Sequence, residues 1–120
     1  MNLYLVNIYK KSKTLKMKNQ NLQLLAILAE CAAACNYCST ACLDEADPKM
    51  MKSCIKLDMD CAQICELTAA FISRGSDHAD HVKKECAEIC RKCAEECSKH
   101  NNDHCMSCAE ACKKCADACA

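Results

Sequence analysis

The chain has 120 residues, 16 basic and 16 acidic, for a formal net charge of zero, so no basic surface advertises nucleic acid. Aromatic residues make up 3%, too few for base-stacking platforms, and one Gly and one Pro leave little material for sheets and tight turns. Sixteen cysteines stand out from a background rich in Ala, Glu and Lys, a composition that predicts one all-helical domain.

Residues 1–20 are polar, Lys-rich and aperiodic, and are expected to form a disordered N-terminal tail ahead of a helical domain over 21–120. Met17 offers an alternative start. The apolar patch Met1–Tyr9 has its lysines after it rather than before it. Lys16–Lys18 ahead of Leu22–Ala29 has the right order, but Glu30 precedes Cys31, where a lipoprotein site wants a small residue. No secretory signal and no membrane-spanning segment is therefore expected, and a cytoplasmic location follows.

The first predicted helix runs from Asn21 to Leu43. Its stripe is Leu24, Leu28, Cys31, Cys35, Cys38 and Cys42, in steps alternating four and three, which keep one helical face. Asp47-Pro48 reads as a cap with proline at the first helical position. The second helix, Pro48–Ser73, carries Met50 or Met51, Cys54, Asp58, Cys61, Cys65, Thr68 and Ile72. Asp58 occupies a position where the other helices carry Cys, unless a small rotation turns it outward and brings Leu57 in. Arg74-Gly75-Ser76 breaks the chain, with Gly75 a C-cap and Ser76 or Asp77 the N-cap of the third helix. That helix, Asp77–Lys99, presents Val82, Cys86, Cys90, Cys93 and Cys97. After the turn His100–Asp103, the fourth, Asp103–Cys119, presents Cys105, Cys108, Cys112, Cys115 and Cys119.

Short connections between four helices predict an up-down-up-down antiparallel bundle. Stacking the stripes places Cys42, Cys54, Cys97 and Cys105 at one end, with Met50, Met51, His100 and His104 beyond them. Leu24, Leu28, Thr68, Ile72 and Val82 close the other end. The core between is nearly all sulfur.

Thiols in that pattern point to soft-metal chemistry, with Cu(I), zinc and iron–sulfur as candidates. Zinc favours closed tetrahedral sites built from converging loops. Iron–sulfur clusters want about four cysteines each and give no reason for five on one helix. A ladder of pairs along a helix suits a two-coordinate ion, and a thiolate can bridge two Cu(I) ions. Disulfides within one helix are disfavoured, because Cβ vectors at i and i+4 run nearly parallel. Cysteine as a mere small hydrophobe would leave a core with little apolar area.

The segments CAAACNYCSTAC, CIKLDMDCAQIC, CAEICRKCAEEC and CMSCAEACKKCADAC, with the turn KHNNDHC, resemble the bacterial copper storage proteins from about Leu22 to Ala120. The resemblance implies a homotetramer of four-helix bundles that is not an enzyme and holds many Cu(I) ions per chain. Ions would enter at one end, helped by His, Met or Asp. Without a twin-arginine signal the chain is similar to the cytosolic branch. The metal ligands carried over are Cys31, Cys35, Cys38, Cys42, Cys54, Cys61, Cys65, Cys86, Cys90, Cys93, Cys97, Cys105, Cys108, Cys112, Cys115 and Cys119, with His104, Asp58, His100, Met50 and Met51 as auxiliary donors. Implied partners are copper ions and a copper chaperone or exporter, with no nucleic acid and no membrane. Two competing readings are a metallothionein-like sequestrant of Zn, Cd or Ag, and a redox module cycling CxxC thiols, which would need an accessible low-pKa cysteine.

Overall fold

A computed structural model describes residues 19–120. Four α-helices come in order, α1 (Asn19–Leu43), α2 (Lys52–Ser73), α3 (Ala79–Cys97) and α4 (Asp103–Cys119). The expected tail lies outside the described residues, except for Asn19 and Gln20, which belong to α1. Each helix packs on its sequence neighbours, and α1 also packs on α4, which closes the ring of an up-down-up-down bundle.

The helix ends differ in detail from the sequence expectation. Pro48–Met51 forms a 3-10 turn rather than the first α-turn, and Asp47 precedes it without a side-chain cap. Proline supplies no N–H, so the tighter turn costs it nothing there. The residue capping α3 is His78, not Ser76 or Asp77. The Ser76 hydroxyl is engaged locally, accepting the His78 amide at 3.1 Å. α3 also stops at Cys97, two residues early, where Ser98 turns its hydroxyl back to the Ala94 carbonyl at 2.6 Å.

α1 is long and apolar enough by composition to cross a membrane, against the sequence expectation. Its hydropathy comes largely from Cys, Ala, Leu and Ile. Here the stripe Leu28, Cys31, Cys35, Cys38 and Cys42 is buried in the bundle.

All sixteen cysteines are buried, and all are free thiols. Ala32, Ala62, Ala87 and Ala116, one per helix and each directly after a cysteine, are buried beside them. Small flanking residues let helices approach closely, which a core of short side chains requires. One end is shut by hydrocarbon. Leu28 and Ile72 are buried there with Leu24 packed against them, and Thr68 satisfies its hydroxyl on the Ile64 carbonyl at 2.7 Å.

The α2–α3 turn is set by glycine. Gly75 has φ 64°. The Gly75 amide donates to the Ile72 carbonyl at 3.0 Å and the Ser76 amide to the Phe71 carbonyl at 3.0 Å, the paired bonds of a Schellman motif. A Cβ at Gly75 would meet nothing within 4 Å, so Gly75→Ala carries only the left-handed backbone cost. The expected loss is about 1 kcal/mol, or roughly 5 °C in the melting temperature of the copper-free protein. Gly75→Asn should lose less. Thermal melts monitored by circular dichroism check both.

Candidate metal centre

The heptad-like Cys spacing turns each helix so that its thiols face the bundle axis, where the sulfurs of different helices meet. Next to the closed end, Cys65 lies 3.8 Å from Cys86, Cys90 and Cys115. One step along, Cys61 approaches Cys90 at 3.4 Å and Cys31 and Cys112 at 3.8 Å. Cys112 then reaches Cys35 at 3.4 Å, and Cys35 reaches Cys108 at 3.6 Å. At the far end Cys54 lies 3.2 Å from Cys97 and 4.0 Å from Cys42, and Cys42 lies 3.9 Å from Cys105. The sulfurs thus form two connected stretches of one column, joined at Asp58, which bonds Cys108 on one side and Cys54, Cys93 and Cys97 on the other.

Donors converge in fours. Cys31, Cys65, Cys90 and Cys115 have their sulfurs within 4.8 Å of one another, and so do Cys31, Cys35, Cys61 and Cys112, and Cys35, Cys93, Cys108 and Cys112. Cys31, Cys35 and Cys112 each belong to two of these sets. Sequence spacing reveals pairs along single helices. The bundle builds sets across helices, and they overlap.

Asp58 faces inward, so the alternative with Leu57 in its place does not hold. It is completely buried. Its Oδ1 accepts the thiols of Cys108 at 3.2 Å, Cys93 at 3.3 Å and Cys97 at 3.4 Å, and Oδ2 accepts Cys54 at 3.6 Å. Burial above all pushes its carboxyl up to about 8.

At the open end, His104 turns Nδ1 toward Cys38 and Cys105 at 3.5 Å and Cys42 at 3.9 Å. These four residues form a further convergent set. Burial pushes the Cys42 and Cys105 thiols up, Cys105 to about 11. The other auxiliary donors separate. Met51 is buried, whereas Met50 is 69% exposed. His100 is half-buried and bonds Glu96 Oε2 at 3.1 Å through Nε2. Glu45, which no periodicity singles out because it lies in the loop after α1, meets His104 Nε2 at 2.7 Å.

The family model described as copper storage protein matches residues 17–120. The chain belongs to the copper storage protein family. It is 42% identical over 78 residues to the uncharacterized cysteine-rich protein YhjQ of Bacillus subtilis (strain 168), covering 65% of this chain and 72% of that protein. Among solved structures, the Cu(I)-bound copper storage protein BsCsp3 superposes with a TM-score of 0.81 at 38% identity, covering 84% of this chain and 95% of that one. A cytosolic copper storage protein from Streptomyces lividans, solved with five coppers, gives a TM-score of 0.80 at 40% identity, covering 83% of this chain and 88% of that one.

Asp58 sets a pH dependence in the copper-free protein. Its folded pKa of about 8 lies above the ordinary 3.8, so the folded state holds the proton longer than the unfolded state does. The stability this contributes is complete below about pH 4 and is lost as pH rises toward 8. Asp58→Asn, which keeps the shape and cannot ionise, should flatten that decline. Copper-free melting temperatures of both proteins across this range, under reducing conditions, measure the effect.

Proposed function

We propose that this chain is a cytoplasmic store for cuprous ions rather than an enzyme. Cu(I) would be held by the sixteen cysteine thiolates, and ions would pass the end carrying His104, Cys105 and Met51. The observation that carries the reading is the overlap of the four-donor sets. A thiolate shared by two sets can bridge two Cu(I) ions, so one buried column takes up many ions. Sixteen thiols hold roughly eight ions with two private ligands each, and roughly sixteen if thiolates bridge. Asp58 in the wall and Met51 near the open end serve in this reading as auxiliary donors, with Met50 and His100 outside them.

A Cu(I) that replaces one thiol proton leaves the charge of the buried column unchanged, so loading through bridging thiolates costs little desolvation. A redox module fits poorly, because it needs an accessible thiol and all sixteen are buried. Assembly as a homotetramer and exchange with a copper chaperone or exporter belong to the same reading. Exposed Tyr37, Met59 and Leu67 offer apolar surface for subunit contacts. A cytoplasmic location is supported by the likeness to the cytosolic Streptomyces lividans protein.

Anaerobic titration of the reduced protein with Cu(I), against a chromophoric Cu(I) chelator, should leave the chelator colourless through about ten equivalents. Colour after one or two equivalents would refute storage. Loading should also release protons at neutral pH, because the Cys42 and Cys105 thiols begin protonated. The melting temperature should climb steeply, since an ion present at a thousand times its Kd adds about 4 kcal/mol. An excess of Zn(II) that blocks Cu(I) uptake would favour the broader sequestrant.

A further inference from the structure

At the open end of the bundle the imidazole of His104 stands between a carboxylate and three sulfurs. Glu45 comes from the loop after α1, and His104 from the first turn of α4, so the pair also ties that loop to the start of α4 at the open end. The Nε2–Oε1 distance is 2.7 Å, and the side chains are 12% and 32% exposed. An ionised carboxylate has no proton to give and must accept. The one proton of a neutral imidazole therefore sits on Nε2, and Nδ1 carries the lone pair. That nitrogen lies 3.5 Å from the sulfurs of Cys38 and Cys105, and 3.9 Å from Cys42. With Nε2 protonated, that lone pair is free to accept, and it faces the space between the sulfurs.

We propose that Glu45 is a positioning residue for this set: by accepting the Nε2 proton it fixes the ring and aims the Nδ1 lone pair at Cys38, Cys42 and Cys105. The proposal rests on the storage reading, and it adds a residue that never touches the ion. Carboxylate–histidine pairs of this kind fix tautomer and ring orientation at metal sites, and their loss costs about tenfold or more in metal affinity. His100 provides the contrast. It makes the same kind of bond to Glu96, but that partner is four residues back in the chain, and among the described residues no sulfur is hydrogen-bonded to its ring.

The test compares wild type, Glu45→Ala and Glu45→Gln. In the copper-free proteins, nitrogen-15 NMR of His104 should show a protonated Nε2 with a slowly exchanging N–H signal in wild type. Glu45→Ala should lose that signal and move the ring shifts toward mixed tautomers, and Glu45→Gln, whose amide oxygen still accepts, should restore them. Competition between the protein and a chromophoric chelator for Cu(I) should show the first ions bound about tenfold more weakly in Glu45→Ala. Total capacity should stay unchanged, and the effect should vanish in a His104→Ala background. Unaltered ring signals in Glu45→Ala would overturn the proposal, as would an equal loss of affinity when His104 is already absent. If wild type binds no Cu(I), the storage reading fails instead, and the ring signals still decide whether Glu45 positions His104.

Discussion

Sulfur meeting sulfur across helices is the contact on which the rest of this bundle depends. A thiol is short, so a core of thiols closes only if the helices come near one another, and the buried alanines beside Cys31, Cys61, Cys86 and Cys115 permit that. The thiols are weak donors and weak acceptors, and they satisfy one another in two stretches that meet at Asp58. Among the described residues no buried side-chain nitrogen or oxygen is left without a partner. The hydrocarbon that normally holds a bundle is pushed to one end, around Leu28 and Ile72. The interior that would stabilise the fold and the interior that would hold metal are the same volume, so the copper-free protein gives up apolar burial in return for donors.

Much of this was legible in the amino-acid pattern, because cysteine at helical spacing marks its own inward face. The four helices, the closed end and the break at Gly75 all follow from periodicity and from the one residue that tolerates a left-handed backbone. The features that the pattern left open turn on rotation or on loops. Asp58 sits one residue from Leu57, and only packing decides which of them faces inward. His78 caps α3 because the Ser76 hydroxyl is engaged inside the turn. Glu45 has no period to reveal it, since a loop residue is placed by tertiary structure alone. Stacking the stripes brings Cys42, Cys54, Cys97 and Cys105 to one level, but which deeper cysteines share a set was out of reach, as that is decided only between helices.

Asp58 breaks the sulfur column on α2, and its surroundings give it a distinct character. It is the one buried ionisable carboxylate among the described residues, and four thiols donate to it. Oxygen is a harder donor than sulfur, so this level of the column differs in softness from the levels on either side. A column of uniform sulfur would have no landmark along its length. This one has a landmark between the open end and the deep sets around Cys31, Cys61 and Cys112.

The plug of Leu28, Ile72 and Thr68 has a further consequence. A column shut at one end and filled from the other is a stack, in which the newest ion lies nearest the exit. The deepest copper, beside Cys65 and Cys86, would then be the oldest. A cell drawing on such a store would remove recent arrivals first and leave the earliest untouched, so the depth of an ion in the bundle would be a record of when it arrived.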